Sequence, residues 1–342
     1  MPSRPNLASI ARTAGVSVPT VSKVIHGRTG VAESTRRRVL EIIDATGYQS
    51  PTERRLRSSG PALVDLVIGD LRDTYATMVL HGILEHARNS NVDVAISSVQ
   101  SDLMHLHDAD EWARRMVESG RTGLIAVTSH MTVEQHAAFV ARGIPMVVID
   151  PINTPDAELP SVGSTNWAGG KAAIDHLIEL GHERIAFLGG PASAECNQAR
   201  MHGYLASLMA HDIRMQPDYV RHGERFHRTA GVACARQLLA LPQPPTAIFA
   251  ASDSLALGVL EVARERGLDV PRDLSVVGFD GLPIVEQTLP RLTSVSQPLT
   301  DIGRTALRTL LALANGSTTE APRVELATEL VVRGSTAPPH GG

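Results

Sequence analysis

From residue 62 onward, short apolar runs and helix-length amphipathic stretches take turns along the chain. This alternation restricts the fold more than any other feature. The runs are Leu63–Ile68, Val92–Val99, Leu124–Val127, Met146–Ile149, Ile185–Leu188, Ala247–Ala251 and Leu274–Phe279. They are apolar at successive positions and rich in β-branched residues, so they read as strands buried on both faces. Strands joined by helices run parallel, which gives an α/β body of parallel sheets covered on both sides. Roughly 280 residues are too many for one comfortable sheet of this kind, so two lobes are expected. Asp150–Pro160, with its prolines and short polar residues, has the composition of a connector between them.

Residues 6–48 follow another pattern, that of three short helices. Asn6 suits an N-cap, and Leu7, Ile10, Ala11 and Ala14 share a face. Gly15 suits a helix end, Ser17 the next cap, and Pro19 the first turn of a second helix with Val21, Val24 and Ile25 inward. Ser34 is expected to cap a third helix from about Thr35 to Thr46, with Val39, Leu40, Ile42 and Ile43 inward and Gly47 as its stop. Two helices joined by a tight glycine turn and closed by a third form a helix-turn-helix unit, whose second helix enters the major groove. That helix turns Val18, Pro19, Thr20, Ser22, Lys23 and His26 outward, and Arg36, Arg37 and Arg38 open the third helix within reach of phosphates. Residues 49–61, polar and arginine-rich between prolines, read as a linker.

Charge supports this division. Residues 1–60 hold ten Lys or Arg against four Asp or Glu, a net of +6, whereas the remainder holds 22 against 32, a net of −10. A basic head on an acidic body suits a polyanion partner for the head alone. No apolar run is long enough for a membrane helix, and the N-terminus lacks the apolar core of a secretory signal, so a cytoplasmic protein is expected. Two cysteines, Cys196 and Cys234, exclude a disulfide framework.

In parallel sheets ligands bind beyond the carboxyl ends of strands, and in two-lobe proteins they bind between the lobes. Asp150 and Asp280 end strands, and Asp253 follows one; such carboxylates suit a polyhydroxylated ligand. Tyr75, Trp167, Arg200 and Phe226 stand near element boundaries. A sugar wants charged forks for its hydroxyls and an aromatic plate for its C–H face, and aromatics are only 3% of this chain. Signals for an enzyme are weak. Gly169-Gly170-Lys171 lacks the earlier glycine of a phosphate loop and is followed by Ala172, and neither G-x-S-x-G nor H-E-x-x-H occurs. His81, Glu85 and His86 share a helix, and His105 and His107 a loop, without further metal ligands. Neither a metal nor a cofactor is expected.

The segment LASIARTAGVSVPTVSKVIHGRTGVAESTRRRVLEIIDATGY closely resembles the DNA-binding head of the lac/gal repressor family. The likeness continues in GHERIAFLGGP, in PPTAIFAASDSLALGVLEVARERGLDVPRDLSVVGFDGLP and in LPRLTSVSQPLTDIGRTALRTLLAL. The resemblance implies a helix-turn-helix domain (residues 1–60 with the hinge) and a core like a periplasmic sugar-binding protein (61–342). It implies three passages of the chain between lobes. The first lobe then holds about 62–160 and 292–320, and the second about 161–291 and 321–342. It also implies a homodimer or tetramer on a near-palindromic operator, with a mono- or oligosaccharide as effector. Carried over residue by residue, it gives DNA contacts to Ser17, Val18, Pro19, Thr20, Ser22 and Lys23, and ligand contacts to Arg200, Phe226, Asp253 and Asp280, with Asp150 at a strand end facing the cleft. Trp167 stands beside a common Asp-Asn pair, here Thr165-Asn166.

One segment departs from the pattern. Relatives carry Tyr-x-Pro-Asn, then Ala and Leu, where this chain reads Tyr48-Gln49-Ser50-Pro51-Thr52-Glu53-Arg54-Arg55-Leu56. Leu56 is the counterpart of the leucine that wedges into the minor groove, at a spacing one residue shorter. The expected function is a repressor of carbohydrate-utilisation genes released from its operator by a sugar. Two alternatives stay open at this point: a regulator that binds DNA better with a purine-like ligand, and a sugar-binding protein without a DNA role.

Overall fold

The structure is a computed structural model and describes residues 7–25, 31–46, 61–98, 108–153, 158–317 and 321–340. Helices α1 (Leu7–Ala14), α2 (Val18–Ile25) and α3 (Glu33–Thr46) close on a small core of Ile10, Ala11, Ala14, Val21, Val24 and Val39. Gly15 ends α1 at φ 65°, a left-handed value that a side chain disfavours, and Val16 N then reaches back to Ala11 O at 3.0 Å. Helix α3 starts earlier than its sequence suggests. Arg36 N already bonds Ala32 O at 2.9 Å, which puts Ser34 inside the first turn and not at the cap. Leu40 is 48% exposed and not inward, because Val39, 100° around the helix, takes the core-facing position.

The body begins with β1 (Ala62–Ile68), α4 (Thr74–Asn89), β2 (Val92–Ser98), α5 (Ala109–Glu118), β3 (Gly123–Val127), α6 (Val133–Ala141), β4 (Met146–Ile149) and β5 (Ser161–Ser164). It continues with α7 (Asn166–Glu179), β6 (Ile185–Gly189), α8 (Glu195–Ala210), β7 (Val220–His222), α9 (Arg228–Leu238), β8 (Ala247–Ala250), α10 (Asp253–Glu265) and β9 (Ser275–Asp280). Last come β10 (Thr293–Ser296), α11 (Leu299–Ala314), β11 (Arg323–Leu326) and β12 (Glu329–Val331). The strands form two six-stranded sheets, ordered β11-β5-β4-β3-β1-β2 and β12-β10-β9-β8-β6-β7. The first is parallel throughout, and β12 alone runs antiparallel in the second.

Each sheet is covered on both faces. One face of the first sheet packs Ile68, Ile125 and Ile149 against Val79, Ile83, Ile302 and Leu310 of α4 and α11, and the other packs Leu124 and Val148 against Met116 and Phe139 of α5 and α6. In the second sheet, Leu188, Ile248 and Val276 meet α9 and α10, while Phe187, Phe249 and Phe279 meet α7 and α8. The chain passes between sheets at Thr165, at Gln297-Pro298 and at Ala327-Thr328. Divisions at 160, 291 and 320 therefore shift by a few residues. Strands β5 and β11 belong to the first sheet and β10 to the second, and their segments SVGS, RVEL and TSVS lack the apolar run that marks a strand. Asp150–Pro160 correspondingly leads from β4 to its neighbour β5 within one sheet, with residues 154–157 outside the described part.

Candidate ligand site and nucleic-acid interface

Two carboxylates sit where the rule of strand ends puts them. Asp150 directly follows β4 and Asp280 closes β9; each is 6% exposed. Their backbones take φ 43° and φ 113°, left-handed values that cost a side-chain-bearing residue about 1–3 kcal/mol and concentrate at ligand clamps. The α4 N-terminus brings Tyr75 to Asp150. Asp73 caps that helix by accepting Tyr75 N at 3.0 Å, and the Tyr75 hydroxyl donates to Asp150 Oδ2.

Across the cleft, α8 delivers Arg200, 4% exposed. Its Nε donates to Asn166 Oδ1 at 2.8 Å and its Nη1 to Ala251 O at 2.6 Å. Nη1 also lies 3.6 Å from Asp280 Oδ1. The guanidinium stacks 3.8 Å from the Phe279 ring centre and stands 5.9 Å from that of Phe226. Phe226 leans on Gly190, where an added Cβ would come within 2.5 Å of the ring, so only glycine lets the aromatic lie there. A polar ring closes through the crossovers. Asn166 Nδ2 donates to Ser164 O at 3.2 Å, Ser164 Oγ to Gln297 Oε1 at 2.6 Å, and Gln297 Nε2 to Asp280 Oδ1 at 2.8 Å.

Burial governs the electrostatics. It raises Asp280 well above the usual carboxylate range, against the pull of Arg200 and the Gln297 amide. It also raises Asp150, against the Tyr75 hydroxyl and Arg200. Tyr75 is raised by burial and by Asp150, and burial pushes the Cys196 thiol up to about 11, so both keep their protons near neutrality. A cavity of about 70 Å³ opens beside Asp150, Asn166, Trp167, Glu195, Cys196 and Arg323. Along its edge the lobes touch: Glu195 N bonds Ile152 O at 3.0 Å, and Arg323 Nη1 pairs with Glu195 Oε1 at 2.6 Å.

Of the seven ligand residues named from sequence, Asp150 and Trp167 line this cavity, while Tyr75 joins Asp150, and Asp280 and Phe226 stand at the Arg200 guanidinium. Trp167, 47% exposed, lies at the start of α7, next to the Asn166 that holds Arg200 Nε. Asp253 is a correction. It is fully buried at the start of α10, where its oxygens accept Ser294 Oγ at 2.6 Å and Leu282 N at 2.7 Å, so both oxygens are engaged in bracing β10 and the turn after β9. Ser164, Asn166, Gln297 and Phe279 were missed. The only signal for Gln297 was a polar residue between a short strand and Pro298. Glu85, grouped with His81 and His86 in sequence, is taken up by Arg304 at 2.9 Å.

In the head, Ser17 caps α2: Thr20 N lies 3.4 Å from Ser17 Oγ, and the Ser17 and Thr20 hydroxyls share a 2.8 Å bond. Pro19 and Lys23 are exposed, Val18 and Thr20 are half-buried, and Val18 leans on the head's core. Arg37 is exposed on α3 and Arg36 half-buried. Nothing is described of the Ser22 side chain, and Leu56 lies outside the described residues. Among the described residues, no helix is long and apolar enough to cross a membrane.

Comparison with known proteins agrees with this layout. Residues 6–50 match the family "Bacterial regulatory proteins, lacI family", and residues 174–336 match "Periplasmic binding protein-like domain". The chain is 32% identical over 330 residues to catabolite control protein A of Priestia megaterium, which covers 96% of this chain and 98% of that one. A solved transcriptional regulator CelR–cellobiose complex superposes with a TM-score of 0.72 at 30% identity, over 97% of this chain and 100% of that one. The lac repressor dimer bound to operator and the anti-inducer ONPF superposes with a TM-score of 0.72 at 25% identity, over 98% and 100%.

Proposed function

Because this chain belongs to the lacI family of bacterial regulatory proteins, a family of DNA-binding transcriptional regulators, we propose that it represses carbohydrate-utilisation genes and lets go of its operator when a sugar enters the interlobe cleft. In this reading residues 1–60 are the DNA-binding head and hinge, and 61–342 the ligand-binding core. The observation that carries it is Arg200 held against Asp280, with Asp150 facing it and Phe226 beside it. Hydroxyl-binding forks and an aromatic plate converge there from both lobes.

The DNA partner is read by α2. Ser17, Val18, Pro19, Thr20, Ser22 and Lys23 are its contact set, with Arg36 and Arg37 on phosphates. Each head places one recognition helix, so a dimer is needed to span two half-sites of a palindrome. Solved relatives carry cellobiose in one case and operator DNA with an anti-inducer in another, which supports a saccharide effector and an operator partner here. The cavity of about 70 Å³ is lined from both lobes, by Asp150 and Arg323 on one side and Asn166 and Glu195 on the other, and in this reading it is where the sugar enters. Closure around the sugar then repositions the heads, and operator affinity falls by the sugar's differential affinity for the two states.

The test is operator binding by fluorescence anisotropy with and without sugars chosen from a thermal-shift screen of mono- and oligosaccharides. A sugar that raises the melting temperature and weakens operator binding is the expected result. If no saccharide stabilises the protein, the effector assignment fails. If the stabilising sugar tightens operator binding, the release mechanism fails.

A further inference from the structure

The polar groups around the cleft are unevenly used. The Asn166 amide is committed at both ends, to Arg200 Nε and to Ser164 O. The Gln297 amide is committed at both ends, to Ser164 Oγ and to Asp280 Oδ1. The Tyr75 proton is given to Asp150 Oδ2. Asn197 accepts Gly190 N at 2.9 Å and turns its Nδ2 to His222. Arg323, on the cavity wall, is held by Glu195 and Glu325, so few donors remain for a phosphate or carboxylate on a ligand: Arg200 Nη2 and the Trp167 indole N–H have no hydrogen-bond partner among the described residues. On the acceptor side, Asp150 Oδ1 and Asp280 Oδ2 have no hydrogen-bond partner among the described residues.

Charge points the same way. One buried guanidinium, Arg200, faces two buried carboxylates, Asp150 and Asp280. The α8 N-terminus at the cavity carries Glu195 in its own first turn, with Glu195 N already on Ile152 O. No lysine compensates. The chain has two, and Lys23 sits in the head while Lys171 is held at 2.5 Å by Asp175.

We infer that this cleft takes an uncharged, hydroxyl-donating sugar and turns away the phosphorylated and acidic forms of the same sugar, because its open groups are carboxylate acceptors with a single guanidinium between them. This rests on the sugar reading above. A phosphate monoester brings about −1.5 to −2 charges. It would be buried beside two carboxyl groups whose own ionisation burial already opposes, with few free donors to offset its charge. The open acceptors instead suit ring hydroxyls, each of which brings its own proton. The consequence reaches into metabolism. The effector must be supplied by a reaction that leaves the sugar unphosphorylated, such as hydrolysis of a glycosidic bond or import without phosphoryl transfer.

The test uses the full-length protein and matched ligands. Each neutral sugar that raises the melting temperature is compared by calorimetry with its 6-phosphate and its uronic acid. Both charged forms are expected to bind about 100-fold more weakly, or worse. A phosphate or uronate that binds as tightly as the neutral sugar overturns the charge argument and leaves the sugar reading intact. If nothing in the panel binds, both fall. Asp150→Asn replaces one of the two acidic acceptors by a neutral amide that can also donate, and is expected to narrow the gap about tenfold, the scale of one weakened charge contact. An unchanged gap in a variant that still binds the neutral sugar also overturns the proposal.

Discussion

Arg200→Ala should silence the response to sugar while leaving operator binding intact. The guanidinium is 4% exposed, and truncation removes its bonds to Asn166 Oδ1 and Ala251 O and its stacking on Phe279. It also leaves Asp280 buried with Gln297 Nε2 as its one hydrogen-bond donor among the described residues. Loss of one partner of a buried, hydrogen-bonded charge pair costs about 2–5 kcal/mol. At about 1.4 kcal/mol per tenfold, sugar affinity should fall roughly 30- to 4,000-fold. Among the described residues the head shares no partner with Arg200, and distant independent sites couple by about 0.3–0.5 kcal/mol, so ligand-free operator affinity should stay within about twofold. The combination is a repressor that stays on DNA at sugar concentrations that release the parent. A ligand moves an equilibrium only by its differential affinity for two states, and Arg200 supplies much of that difference here. Anisotropy titrations of operator against protein, at several sugar concentrations, measure both quantities together. A melting curve of the ligand-free variant shows whether it is folded. If folded Arg200→Ala protein releases operator at the same sugar concentration as the parent, the reasoning is refuted.

Phe226→Ala should cost about 1–2 kcal/mol of apolar and stacking contact, leaving a response shifted to roughly 5- to 30-fold higher sugar, as read by the same titration. In the head, Thr20→Ala should change which operator is preferred, whereas Arg37→Ala should weaken all sequences alike and reduce the salt slope by about one; equal losses for Thr20→Ala on operator and random DNA would reverse these roles. Burial pushes Asp253 up to about 7, against about 3.9 in an unfolded chain, so the folded state binds the extra proton between those values. Stability from this group is therefore fully present below about pH 4 and is lost as pH rises towards 7, by at most about 1.4 kcal/mol per unit. Asp253→Asn should flatten that decline in urea melts at about pH 4.5 and about pH 6.5, and parallel slopes would count against the assignment. Gly82→Ala should lower the melting temperature, since a Cβ at that point of α4 would lie 1.9 Å from Thr300 O on α11; overpacking of this kind costs about 1–3 kcal/mol.

What the sequence made legible, and what it hid, divides along physical lines. The strands β1, β3, β4, β6, β8 and β9 are buried on both faces, so their apolar runs show in one dimension, and the carboxylates Asp150 and Asp280 stand out by interrupting or ending those runs. The strands that were not foreseen, β5, β7, β10, β11 and β12, are short, polar or at sheet edges. Backbone pairing with neighbours distant in sequence makes them strands, and no local pattern records that. The same blindness explains the site. Asp253 looked like Asp150 and Asp280 because all three lie at strand–helix boundaries, but the Ser294 hydroxyl and Leu282 amide that claim it arrive from 41 and 29 residues away. Gln297 and Ser164 lie 133 residues apart and meet only because both crossovers pass the same point between the sheets. The two charges that make the cleft a ligand site, Arg200 and Asp280, are thereby each tied through one amide to Ser164 on a crossover. A change in lobe angle cannot leave their geometry untouched, and a ligand that draws on Arg200 and Asp280 necessarily acts on that angle in return.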